Sequence, residues 1–208
     1  MGIGLLCMRS GRNDTIRTVK DHVETKDSIR QRMRVRRKAL APKGRELASR
    51  IICEKLTCDE EIASLEHGET IAVYLASPDE IDLSGFIREL LRRGVNVVAP
   101  RWNGETYELA NVKSLSENDL RYGPMRILEP TEAKLVNPAD VAVWIVPGLA
   151  FTDDGMRLGY GGGWYDRLLA SSKKDSLKIG IAHEFQLVDA LPHEPHDIPL
   201  TRVITVAT

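Results

Sequence analysis

The residues Arg157 to Asp166, RLGYGGGWYD, concentrate more chemistry than any other stretch of this 208-residue chain. Gly159, Gly161, Gly162 and Gly163 let the backbone approach a ligand closely and turn successive amides towards it. Arg157 sets a fixed positive charge before the glycines, and Arg167 another just after them. Asp166 supplies a carboxylate where magnesium could bridge to phosphate oxygens. Such a set suits an anion, phosphate above all. It is not a P-loop, because no Gly-Lys-Ser/Thr follows, and its long lead-in differs from a dinucleotide fingerprint. The plainer alternative is a tight glycine turn against which Trp164 and Tyr165 pack. Arg157 and Asp166 on either side tilt the balance to phosphate.

A loop of this kind needs elements to aim it. Val141–Val146 is a short, wholly apolar run, the pattern of a strand buried on both faces, and it leads through Pro147-Gly148 towards the glycines. Asp154-Gly155 signals a turn, so 150–157 is expected to form a small hairpin, and a helix should follow over about 163–171. Its free amides and dipole would favour an anion as well. Thr70–Leu75, 95–99, a less buried 107–113, Lys178–Ala182 and Val203–Val206 read as further strands. Helices are expected over 26–40, over 42–56, and briefly towards Leu65. Another, capped by Asp82 and closed by Gly94, turns Leu83, Phe86, Ile87, Leu90 and Leu91 inward. Strands alternating with helices predict a single α/β layered domain with a mostly parallel sheet flanked by helices. In such a sheet, ligands gather where the strands end.

Composition is that of one ordinary globular domain, 42% hydrophobic and 28% charged, with a net charge of -1. The three cysteines, Cys7, Cys53 and Cys58, have neither the number for a disulfide framework nor the spacing of a zinc site. Reduced thiols in a cytoplasmic compartment are the expectation. No apolar run approaches the roughly 20 residues that span a bilayer, and the opening MGIGLLCMRS lacks the plan of a secretory signal. Residues 1–25 read as a polar extension, either without fixed structure or reflecting a start placed ahead of Met8.

Charge is unevenly spread. Between Lys26 and Arg50 lie ten Lys or Arg residues against two acids, Asp27 and Glu46. A solvated helix face, a phosphate contact and a nucleic-acid surface all fit such a run. The last predicts a steep salt dependence, but no stacking aromatics are interleaved with it. Near the other end, His193, Glu194, His196 and Asp197 suggest a transition-metal cluster. Their irregular spacing and Pro195 favour a polar surface loop instead.

Taken together, VPGLAFTDDGMRLGYGGGWYDRLL, KDSIRQRMRVRRKAL, VYLASPDEID, the Pro100–Trp102 PRW and the Leu128–Pro130 LEP resemble the 5-formyltetrahydrofolate cyclo-ligase family over most of residues 26–206. The resemblance implies a Rossmann-like domain of the CoA-transferase type over 26–208, and an enzyme that uses ATP and magnesium to convert 5-formyltetrahydrofolate to 5,10-methenyltetrahydrofolate. It implies ATP contacts at Lys26, Arg30, Arg157, Leu158, Gly159, Tyr160, Gly161, Gly162, Gly163, Trp164 and Tyr165. Arg157 and Asp166 would be catalytic. Folate would be met by Leu75, Glu80, Tyr160, Gly161, Gly162, Gly163 and Trp164, with Glu80 accepting hydrogen bonds from pterin N–H donors. Asp166 and Asp197 would be the magnesium ligands. Partners would be ATP and a reduced folate, with no nucleic acid and no membrane, for a monomer. The chain departs from the family's pattern at Leu109-Ala-Asn111, at Arg126 (where the family has glycine) and at Thr201. A paralogue that activates a different formamide or carboxylate is therefore the second reading.

Overall fold

The computed structural model describes residues 24–132, 134–194 and 197–207. The expectation for the extension falls almost wholly outside them, as do Pro195 and His196. The described chain opens on α1 (Lys26–Ala39), α2 (Pro42–Thr57) and the short α3 (Glu60–Ala63). The Thr25 hydroxyl caps α1 by accepting from the Ser28 amide at 3.2 Å. Pro42 stands in the first turn of α2, where its missing N–H removes no helix bond. Then come β1 (Thr70–Ala72), α4 (Ser84–Arg92), β2 (Asn96–Trp102) and β3 (Tyr107–Asn111). A hairpin of β4 (Leu120–Tyr122) and β5 (Leu128–Pro130) precedes β6 (Leu135–Val136) and β7 (Val141–Val146). A second hairpin, β8 (Ala150–Phe151) and β9 (Arg157–Leu158), leads to α5 (Trp164–Ala170), β10 (Leu177–His183) and β11 (Arg202–Val206).

The main sheet has seven strands in the order β11-β10-β7-β1-β2-β3-β6. From β11 to β2 every pairing is parallel, while β3 and β6 extend the edge antiparallel. Both faces are covered, as the apolar runs require. Ile52, Leu56, Phe86, Ile87 and Leu90 of α2 and α4 pack on one face against Ile71, Val97, Val143, Ile145 and Ile181. Leu168 and Leu169 of α5 pack on the other with Ala72, Val98, Trp144 and Ala182. Each Val, Leu, Ile or Phe side chain among them contributes about 1.5–3 kcal/mol through burial. Ile29 and Met33 of α1 form a third cluster with Leu149, Ala150 and Leu158, so the first helix is bolted to the β8–β9 hairpin.

Two boundaries differ from the sequence expectation. Ladder pairing of β1 stops at Ala72, although Val73 to Leu75 stay buried as the chain leaves the sheet. Asp82 is not the cap of α4: that position is Leu83, without a side-chain cap bond, and Asp82 stands one residue earlier, where its Oδ1 accepts from the Ser84 amide at 2.9 Å and the Ser84 hydroxyl at 2.6 Å. From β1 the chain crosses to β2 on one side and later to β7 on the other. The C-terminal ends of β1 and β7 thus form the switch point where a parallel sheet opens a crevice.

Candidate active site

The crevice is a cavity of about 330 Å³. Its walls start from strand ends: Leu75 beyond β1, Pro147 beyond β7, and Pro100 within β2. The glycine loop closes one side. Gly161 and Gly163 take φ of +110° and +63°, a left-handed backbone that side-chain-bearing residues rarely adopt. Gly163 hands the chain to α5, which has only seven residues, so an anion at this place would meet the loop amides rather than a long helix dipole. Arg167 holds the loop from behind by donating to the Gly162 carbonyl at 3.0 Å. Its guanidinium also lies 4.0 Å from the centre of the Trp164 ring.

The residues that the resemblance assigns to ATP, folate and magnesium line this one cavity: Lys26, Arg30, Leu75, Glu80, Arg157 through Asp166, and Asp197, whereas Arg167 does not. Lys26 and Arg30 reach it from successive turns of α1, because Ile29 and Met33, on the adjoining stripe of that helix, seat it against the β8–β9 hairpin. Lys26 Nζ lies 3.0 Å from a Glu194 oxygen and 3.1 Å from Asp197 Oδ2. Arg30 donates to the Gly159 carbonyl at 3.0 Å and to Asp27 at 2.6 Å. Arg157, its side chain 4% exposed, donates to Asp166 Oδ1 at 2.6 Å. On this wall each cation is matched to a carboxylate, so an incoming phosphate would compete for cations that are already positioned.

Around Tyr160 the lining carries a different network. The Tyr160 hydroxyl donates to Glu80 Oε1 at 2.8 Å and accepts from Arg37 Nη1 at 2.8 Å. Glu80 Oε2 accepts from the amide and the hydroxyl of Ser77, both at 2.9 Å. Burial first, then the neighbouring Glu80 charge, raises the Tyr160 phenol above its ordinary pKa and keeps it a donor. Arg37, only 1% exposed, also donates to the Asp79 carbonyl at 2.8 Å. The most buried charge of the basic helix thus points inward, and Arg32 is spent on Glu24. That leaves less of the run for a polyanion than its composition suggests.

Sequence reasoning gave no site role to Tyr107, Ile127, Leu128 and Glu129, although the LEP block included two of them; β3 and the β4–β5 hairpin bring them to the cavity. Tyr107, Trp102 and Trp164 meet with ring centres 5.1 to 5.5 Å apart. The PRW tripeptide was the available signal for this cluster. Arg126 and Asn111, where the chain departs from the family's pattern, are not among the residues lining the cavity. Of the suspected transition-metal cluster, Glu194 and Asp197 face Lys26. Among the described residues no group of three or more His, Cys, Asp or Glu side chains gathers as a metal cage. No described helix is long and apolar enough to cross a membrane.

Comparison with known proteins gives consistent matches. The model of the 5-formyltetrahydrofolate cyclo-ligase family matches residues 22–206. The 5-formyltetrahydrofolate cyclo-ligase of Escherichia coli (strain K12) is 33% identical over 180 residues, covering 83% of this chain and 96% of the relative. The Mus musculus protein of that name is 22% identical over 190 residues, covering 86% and 92%. Among solved structures, Aquifex aeolicus 5,10-methenyltetrahydrofolate synthetase superposes with a TM-score of 0.75 at 33% identity, covering 86% of this chain and 89% of that one.

Proposed function

Because the chain belongs to the 5-formyltetrahydrofolate cyclo-ligase family, enzymes of folate one-carbon chemistry, we propose that its cavity holds ATP and 5-formyltetrahydrofolate side by side and passes the γ-phosphoryl group from one to the other. The observation that carries this reading is that one cavity is lined both by the glycine loop with Lys26, Arg30 and Arg157 and by apolar Leu75, Ile127 and Leu128 with the carboxylates of Glu80 and Glu129. The domain responsible is 26–208, with 1–25 outside it.

The formyl oxygen attacks the γ-phosphorus of ATP, the bond to the bridging oxygen breaks, and ADP leaves. The phosphorylated formyl carbon is then open to N10 of the folate. N10 bonds to it and gives up its proton, and the C–O bond breaks with its electrons leaving on inorganic phosphate. Ring closure yields 5,10-methenyltetrahydrofolate. The formyl oxygen is a weak nucleophile, so alignment and charge neutralisation supply the catalysis. In this reading the amides of Gly159 through Gly163 cradle the triphosphate, while Lys26, Arg30 and Arg157 exchange their carboxylate partners for phosphate oxygens. Leu158, Tyr160, Trp164 and Tyr165 shape the nucleotide side. Leu75, Glu80, Tyr160 and Trp164 border the folate.

Asp166 and Asp197 offer hard oxygen donors on the cationic wall, a set that fits magnesium, which takes one or two carboxylates and completes its shell with phosphate and water. Bound there, the ion would neutralise developing phosphate charge. The reading is tested by measuring ADP release with and without 5-formyltetrahydrofolate, beside other formamides. Release is expected only with the folate. Release driven equally by an unrelated formamide would favour the paralogue.

A further inference from the structure

Two carboxylates border the apolar half of the cavity, and their circumstances differ. Glu80 is engaged: the Tyr160 hydroxyl and the Ser77 amide and hydroxyl all donate to it. Glu129 is 1% exposed, and neither of its oxygens meets hydrogen-bonding geometry with any described group. Its cross-strand neighbour is Arg121, but the guanidinium does not form an ion pair with it.

An ionised side chain left unpaired indoors costs several kcal/mol, so its presence calls for a reason. Burial raises the Glu129 pKa, and the nearby Trp102 amide, Arg121 and Arg101 offset only part of this. The seat looks built. Gly123 lies across the hairpin, and a Cβ there would overlap the Glu129 carboxyl group. The hairpin therefore gives up a side chain to hold the carboxyl in place at the cavity wall, beside Ile127, Leu128 and Tyr107.

A partner absent from the protein itself must come with the ligand. Building on the folate reading above, we propose that Glu129 is a folate-recognition residue whose carboxylate accepts hydrogen bonds from the N–H donors of the reduced pteridine ring. Adjacent amino and ring N–H groups in one plane match the two oxygens of a carboxylate. The apolar neighbours receive the flat ring faces. Glu80, with fewer lone pairs left, serves a lesser part of that edge than the sequence suggested.

The test uses the full chain with Glu129→Leu, which keeps volume and removes both acceptors, and Glu129→Gln, which restores one. Equilibrium binding of 5-formyltetrahydrofolate and of ATP, steady-state KM for each, and Tm without ligand are measured. Glu129→Leu should weaken folate binding about 10- to 100-fold, the range for hydrogen bonds to a charged group. Glu129→Gln should lie between it and the wild type. ATP binding should not change, and the ligand-free Tm should hold or rise because a buried unpaired charge is gone. Unchanged folate binding in both variants, with an active wild type, overturns the proposal alone. So does a Tm that falls together with both affinities, the mark of a merely structural role. A folded wild type that makes no methenyl product sinks the folate reading, and this proposal with it.

Discussion

The Tyr160 hydroxyl stands between opposite charges, accepting from Arg37 and donating to Glu80. One oxygen thereby sets the orientation of a carboxylate on the proposed folate wall, although Tyr160 itself belongs to the glycine loop. Tyr160→Phe keeps the ring and removes this link, so KM for the folate should rise about 5- to 30-fold, as expected for about 1–2 kcal/mol of lost hydrogen bonding. KM for ATP should stay put, because the hydroxyl is taken up by Glu80 and Arg37. Steady-state kinetics in both substrates separate the two effects; a rise confined to ATP would contradict the assignment. Among residues, the glycines and their flanking charges were readable, because backbone freedom beside fixed charge is a local pattern. Arg37 was visible only as one more charge in a basic run. Its burial depends on Asp79, Glu80 and Tyr160, which lie far along the chain. Glu129 stood in the LEP block that resembles the family, but it was given no role there, since an acid before a proline signals no chemistry until the hairpin carries it to the cavity.

At the level of elements, the β4–β5 hairpin contributes most that was not foreseen. Its strands have three residues each, too few for a period to declare itself, and their place is set by packing beside β2. By contrast β7, with six apolar residues in a row, and α1, with Ile29 and Met33 one turn apart, could be placed within a residue or two. The hairpin also contains a strained position. Exposed Arg126 has φ of +59°, the only described residue other than glycine with a positive value. Left-handed geometry costs an ordinary side chain about 1 kcal/mol or more, and glycine escapes most of it. Arg126→Gly should therefore raise Tm by about 2–4 °C, the shift that 1 kcal/mol brings in a chain of this size. Thermal unfolding checks this; a lower Tm would mean that the arginine makes a compensating contact. The glycine that the family's pattern has at this place thus has a conformational reason and no need of a ligand.

For the molecule as a whole, α/β order and strand polarity followed from alternating apolar patterns, while the antiparallel edge of β3 and β6 did not, since pairing direction leaves no trace in composition. Stability as a function of pH is also a property of the whole. His183, at the end of β10, is 2% exposed, stacked on Phe185 with ring centres 5.3 Å apart. Burial, and then the Arg37 charge, press its pKa down to about 4. An unfolded histidine titrates near 6.5, so between about pH 6.5 and 4 the unfolded chain binds more protons than the folded one. Its contribution is complete above that window and is lost as pH falls through it, by up to about 3 kcal/mol. His183→Gln should flatten the decline of Tm between pH 6.5 and 4.5; parallel declines would show that the ring titrates freely. The central claim is that one crevice at the switch point of the sheet spends ATP on closing a folate ring. The most direct measurement is the absorbance of methenyl product when the folded protein meets 5-formyltetrahydrofolate and magnesium, with ATP present or withheld. Product should appear only with ATP and match the ADP released; no product, or product formed equally without ATP, would contradict the account.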